Sequence, residues 1–204
     1  ITQGISNGSF SASEVLQSSL DRIEATDQKV NAFTAKHVDR AVQKAKSIDA
    51  LRASGASLPP LAGVPFAVKN LFDVQGQVTL AGSIVNRHHA PAKQDAFLIE
   101  RMAAAGAVLV GSLNMDEFAY GFTTENTHYG PCHNPHDLSR IAGGSSGGSG
   151  AAVAAGQVPL SLGSDTQLLP NSCQSFVIFG LAQCALNHMI HSLPLQPAVS
   201  RQLK

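Results

Sequence analysis

Residues 143–150 read Gly-Gly-Ser-Ser-Gly-Gly-Ser-Gly and run directly into an alanine-rich segment, Ala151–Ala155. It is the most unusual stretch of the chain. As a flexible linker it belongs between domains, yet it lies between a loop and an apolar segment that reads as a buried helix. As a phosphate loop it lacks the Lys-Ser/Thr ending that reaches phosphate and metal. The third reading is a tight backbone corner that presents a serine inside a site. Glycine permits unusual φ/ψ values and close backbone approach, and a hydroxyl held at such a corner can pass protons.

The text upstream supplies a frame for that corner. Ser11 and Glu14 have capping-box spacing, so a helix is predicted from Ser11 to Thr26, with Val15, Leu16, Ser19, Leu20 and Ile23 on one stripe. A second helix is predicted from Val38 to Arg52, with Val38, Ala41, Val42, Ala45 and Ile48 inward. Ala62–Lys69 is a short β-like run, Asp95–Ala105 a helix, and Ala107–Val110 a buried strand after the Gly106 turn. That helix–Gly–strand rhythm predicts an α/β layer with a central sheet. Asn114–Tyr120 is expected to open a short helix, Gly121–Gly144 to be loop, and Val158–Leu162 to be a strand.

The bulk numbers exclude several classes. Lys+Arg and Asp+Glu are both 14, so no basic face argues for direct binding to nucleic acid or to an anionic membrane. Cys132, Cys173 and Cys184 are few, odd in number and widely spaced, which favours a reducing, cytoplasmic setting over a disulfide framework. No charged residue falls between Gln167 and Ser200. Gln174, Gln183, Asn187 and His188 nonetheless interrupt the apolar part, so no span of ~18 apolar residues results. The start at Ile1, with no basic n-region, gives no signal peptide and suggests that an initiating segment precedes it.

Lys69 ends the apolar run Val64-Pro65-Phe66-Ala67-Val68. Alone, such a lysine would be expected to snorkel to water. Held in an apolar pocket it would lose its charge more readily and could act as a general base.

Taken together, these segments resemble the amidase signature family across roughly residues 1–166. The matching text is Leu-Ala-Gly-Val-Pro-Phe-Ala-Val-Lys-Asn (61–70), Asn-Met-Asp-Glu-Phe-Ala (114–119), Gly130 through Asn134-Pro135, Gly-Gly-Ser-Ser-Gly-Gly-Ser (143–149) and Gly-Ser-Asp-Thr (163–166). The wording of 112–166 looks most like the carboxybiuret hydrolase branch, with aminoacyl-tRNA amidotransferase A subunits as well-known relatives. The resemblance implies an α/β fold with a twisted central sheet flanked by helices, here truncated. It also implies C–N bond hydrolysis of a small amide or urea-type substrate by a Ser–cis-Ser–Lys triad. Lys69 maps to the base, Ser145 to the cis-serine and Ser146 to a supporting hydroxyl, with no cofactor and no metal.

The nucleophile maps to position 169, which is Leu169. Where the family continues with Gly/Asn-Gly-Ser-Ile-Arg, this chain has Gln167-Leu168-Leu169-Pro170-Asn171. Thr166, Gln167 and Leu168 therefore occupy the oxyanion-hole region without its small residues, and the covalent route has no nucleophile. Ser164 is expected to be structural, and Ser172 and Ser175 to lie too far along the backbone to substitute.

The text from 167 to 204 contains no Asp or Glu and does not match the family. It is expected to be a divergent tail, helical around Phe176–Ile190, produced by a frameshift or a misplaced gene end. The alternatives are a pseudoenzyme or interaction scaffold that keeps the amidase front half, or a fragment of an amidotransferase A-type subunit. His128, His133 and His136 near Cys132 have no metal-ligand spacing, and His88-His89 reads as a turn. Asp116 and Glu117 are adjacent, which on a helix points them apart, so capping or solvated roles are expected.

Overall fold

Apolar residues run without a break along 65–68 and 108–110, as in strands buried on both faces, while they recur every three or four residues along 12–30 and 38–53, and the chain folds according to that division. A computed structural model describes residues 1–165 and 175–180, with the backbone path alone for Asp165 and for 175–180. The helices are α1 (Thr2–Ser6), α2 (Ala12–Val30), α3 (Val38–Ala53), α4 (Phe97–Ala104) and α5 (Gly147–Ala154). The strands are β1 (Phe33–Lys36), β2 (Pro65–Lys69), β3 (Val108–Leu113), β4 (Glu125–Asn126), β5 (Gly130–Pro131), β6 (His133–Asn134), β7 (Asp137–Ile141), β8 (Leu160–Asp165) and β9 (Ser175–Gly180).

The fold is mixed α/β. Among the described residues, five strands form one sheet in the order β1-β3-β2-β8-β9. β2 runs parallel to both β3 and β8, and the two edge strands are antiparallel to their neighbours. Side chains of period two separate the faces of this sheet. Ala67, Val108 and Val110 join a core with Leu16 and Ile23 of α2, Ala45 and Ile48 of α3, and Ala152 and Val153 of α5. Phe66, Val68, Leu109 and Leu162 join a second core with Ile99 of α4. Each such large apolar side chain contributes roughly 1.5–3 kcal/mol when fully buried. Among the described residues, no helix is long and apolar enough to cross a membrane.

Four expectations are corrected. Val38, placed inward by its spacing, is exposed because it opens the first turn of α3, ahead of the packed stretch. Asn114–Tyr120 yields only a 3₁₀ turn at Glu117–Ala119, with Phe118 at φ 53° and Ala119 at φ 59° breaking the helix. The 121–144 segment is not plain loop, since β4 pairs with β5 and β6 with β7. Phe176–Gly180 is strand rather than helix: its β-branched and aromatic residues lie along the open edge of β8. Residues 181–190 of that expected helix lie outside the described residues.

Candidate functional site

β2 and β8 are neighbouring parallel strands, and their carboxyl ends meet the start of α5. Lys69, the last residue of β2, is fully buried. It does not snorkel, because its Nζ donates to Ser145 Oγ at 2.7 Å and to Ser164 Oγ at 2.9 Å. Ser145 precedes α5, is half-buried, and follows a cis peptide bond from Gly144. Ser146 closes the circuit. Its hydroxyl donates to Ser164 O at 2.9 Å and accepts from Ser164 N at 3.2 Å, which fixes β8 against the start of the helix. Ser164 thus has a structural link and also touches the lysine, a contact that its place in the sequence did not reveal. Thr166, Gln167, Leu168, Leu169 and Ser172 lie outside the described residues.

The glycines explain why the corner can sit so deep. Gly148 N donates to Asn114 O at 3.0 Å, and Gly147 N to Thr124 Oγ1 at 3.0 Å. A Cβ on Gly148 would lie 2.5 Å from Asn114 O and 2.8 Å from Ala32 O, both backbone atoms. A Cβ on Gly147 would strike the Thr124 side chain, and one on Gly144 the Asp116 carboxylate. Backbone meets backbone here, and no side chain fits between.

Asp116 is the site residue that the sequence reading misplaced. It is buried, 7% exposed, because the broken turn after it folds the chain back. Its amide donates to Ser145 O at 3.2 Å, and its Oδ1 accepts from Thr124 N at 2.9 Å. Burial pushes its carboxyl above the usual range, opposed by the Thr124 and Thr123 amides. Its Oδ2 has no hydrogen-bond partner among the described residues. Glu117, by contrast, faces outward. It accepts from Ser83 and from His128 Nε2, at 3.0 Å in the latter case, which holds its carboxyl below the ordinary range.

The remaining candidates stay apart from this site. His88 ends a 3₁₀ turn, Cys132 is buried as a free thiol, and burial pushes its ionisation up. Among the described residues, no group of three or more His, Cys, Asp or Glu is placed to hold a metal ion. The short contact between a buried amine and a partly buried hydroxyl gives the arrangement the capacity for acid–base chemistry.

Known proteins share both sequence and fold. The sequence model of the Amidase family matches residues 14–167. AtzE of Pseudomonas sp. (strain ADP), which belongs to 1-carboxybiuret hydrolase, is 66% identical over 166 residues, or 81% of this chain and 36% of that protein. The A-type subunit of glutamyl-tRNA(Gln) amidotransferase from Anaeromyxobacter sp. (strain K) is 53% identical over 163 residues, 80% of this chain and 33% of the relative. A solved bacterial aryl acylamidase of the amidase signature family aligns with a TM-score of 0.75 at 33% identity, covering 81% of this chain and 34% of its own. The chain spans about a third of the length of these relatives. On the family match and on 66% identity, the chain belongs to the amidase signature family.

Proposed function

We propose that this chain carries the base half of a C–N hydrolase site, Lys69 and Ser145, and that as it stands it does not turn over amides. The observation that carries the reading is the fully buried Lys69 with its Nζ 2.7 Å from Ser145 Oγ. Desolvation disfavours an ammonium in such a position, and the neutral amine is the form that can accept a proton. In the complete relay Lys69 takes the proton of Ser145. Ser145 then deprotonates a nucleophilic hydroxyl, which attacks the carbonyl, and ammonia or an amine leaves as an acyl-enzyme forms. Position 169 is where that hydroxyl would stand, and Leu169 has none. Gln167 and Leu168 bring bulk where backbone amides would stabilise the oxyanion, and a single lost donor costs about 3 kcal/mol.

The substrate class we assign is a small urea-type amide, because identity is higher to the carboxybiuret hydrolase chain than to the amidotransferase chain. Both relatives are named as subunits, which supports a setting with partner chains. The 53% identity to the amidotransferase chain favours a second reading, a fragment of that type of subunit. Ammonia release from carboxylated biuret and simple amides tests the proposal: the unmodified chain releases none above blank. Replacing Gln167, Leu168 and Leu169 by Gly, Gly and Ser brings fluorophosphonate labelling to position 169. Lys69-dependent ammonia release by the unmodified chain would refute the reading, as would absence of label at 169 in the restored one.

A further inference from the structure

The contact between Lys69 and Ser145 is formed wholly by described residues. A neutral lysine amine has two hydrogens and one lone pair. Nζ donates to Ser164 Oγ at 2.9 Å and to Ser145 Oγ at 2.7 Å, and a rotation of the neutral amine about its last bond turns the lone pair toward the Ser145 O–H, so that the proton can transfer over the same short distance. Ser164 is itself held by Ser146, which fixes the direction of that bond to the amine. Burial differs across the pair: Lys69 is fully enclosed, whereas Ser145 is only half-buried and reachable from solvent. Ser145 also stands just ahead of α5, whose amino end favours negative charge developing on Oγ.

We propose that Lys69 and Ser145 form a serine–lysine dyad in which Ser145 is itself an acylatable nucleophile toward activated acyl and phosphonyl electrophiles. Lys69 Nζ takes the Oγ proton as Oγ bonds to the carbonyl carbon of an aryl ester. The carbon–aryloxide bond breaks, the phenolate takes the proton back from the Lys69 ammonium, and acyl-Ser145 and a phenol remain; with a fluorophosphonate Oγ bonds to phosphorus, the P–F bond breaks, and fluoride leaves with that proton. The need for activation follows from the helix amides. Gly147 N and Gly148 N are already committed to Thr124 Oγ1 and Asn114 O, so they offer a developing oxyanion little support. An electrophile with a good leaving group tolerates that loss, and an amide does not. The inference uses the base role assigned to Lys69 above and is independent of position 169.

The experiment treats the unmodified 204-residue chain with p-nitrophenyl acetate and, separately, a fluorophosphonate probe. Intact mass and peptide mapping then locate the adduct. A single adduct on Ser145 is expected. Labelling should be absent from Ser145→Ala and slower by about 100-fold or more in Lys69→Met, the range that a positioned base supplies. Lys69→Arg should not restore it, because a guanidinium keeps its proton. No adduct, an adduct on any other residue, or unchanged labelling of folded Lys69→Met overturns the proposal. Should Lys69→Met fail to fold, the map of the unmodified chain still decides. Ammonia release and label at 169 report on the amidase reading, whereas an adduct on Ser145 reports on the dyad, so either can fail alone.

Discussion

Gly148→Ala separates packing from propensity. Helix propensity alone favours alanine over glycine inside α5 by about 1 kcal/mol. The structure reverses the sign. The new Cβ would lie 2.5 Å from Asn114 O, 2.6 Å from Asn114 N and 2.8 Å from Ala32 O. Ordinary carbon contacts lie near 3.5–4.0 Å, so α5 must retreat by about 1 Å. Overpacking of this kind costs about 1–3 kcal/mol. The 3.0 Å bond from Gly148 N to Asn114 O is strained at the same time, and losing a buried hydrogen bond costs a further ~1–3 kcal/mol. Net of the propensity gain, the substitution destabilises by about 1–5 kcal/mol, or ~2–20 °C in Tm for a chain of this size. Gly150→Ala is the internal control. Its Cβ meets nothing within 4 Å, so it stabilises by up to about 1 kcal/mol. Urea and thermal melts followed by circular dichroism measure both. If Gly148→Ala melts at or above the parent, the close backbone packing of α5 is wrong.

Two further outcomes follow from the scaffold. Ser11→Ala removes a capping box in which Ser11 Oγ accepts from Glu14 N at 3.0 Å and Glu14 Oε2 accepts from Ser11 N at 2.7 Å; it should lower stability by about 1 kcal/mol in urea melts, with Ser11→Asp keeping most of it. Acid should act in two stages, read as Tm against pH. Burial depresses the ionisation of His37 from 6.5, so as pH falls below that value the unfolded chain gains a proton that the folded ring refuses, and stability declines. The Arg40 guanidinium holds Asp95 below 3.8, so its contribution is present above that value and lost as pH falls through the folded one. His37→Gln should flatten the upper stage and Asp95→Asn the lower.

Much of the frame was legible because its signals are local. The Ser11 cap places the start of α2 within a residue, but the helix continues four residues beyond Thr26 to Val30. Asp27, Gln28 and Lys29 hide that last turn behind polar side chains, and the usable signal was Asn31, which caps it in the left-handed region at φ 56°. The paired ribbons between 125 and 141 have strands of two to five residues, too short for a period to register. Asp116 was misplaced for another reason. The rule that adjacent residues point apart assumes a helix, and two positive φ values end the helix before it begins. Lys69 shows the limit of strand-end reasoning: a carbon stem long enough to reach water reaches two serine hydroxyls first.

The legible and illegible parts of the site have different physical origins. Ser145 stands where it does because Gly144, Gly147 and Gly148 let α5 approach Asp116, Thr124 and Asn114 without side chains between them. Lys69 stands where it does because Phe66 and Val68 face one core and Ala67 the other, which fixes the register of β2 and so the point at which it ends. Neither cause involves residue 169. The 2.7 Å separation of amine and hydroxyl is thus a consequence of backbone packing and is retained whether or not a nucleophile follows. Geometry at Lys69 and Ser145 therefore reports the family, and the chemistry available to this chain turns on which hydroxyl the amine can serve. On the proposed reading, in which Leu169 leaves the nucleophile position without a hydroxyl, that hydroxyl would be Ser145 itself.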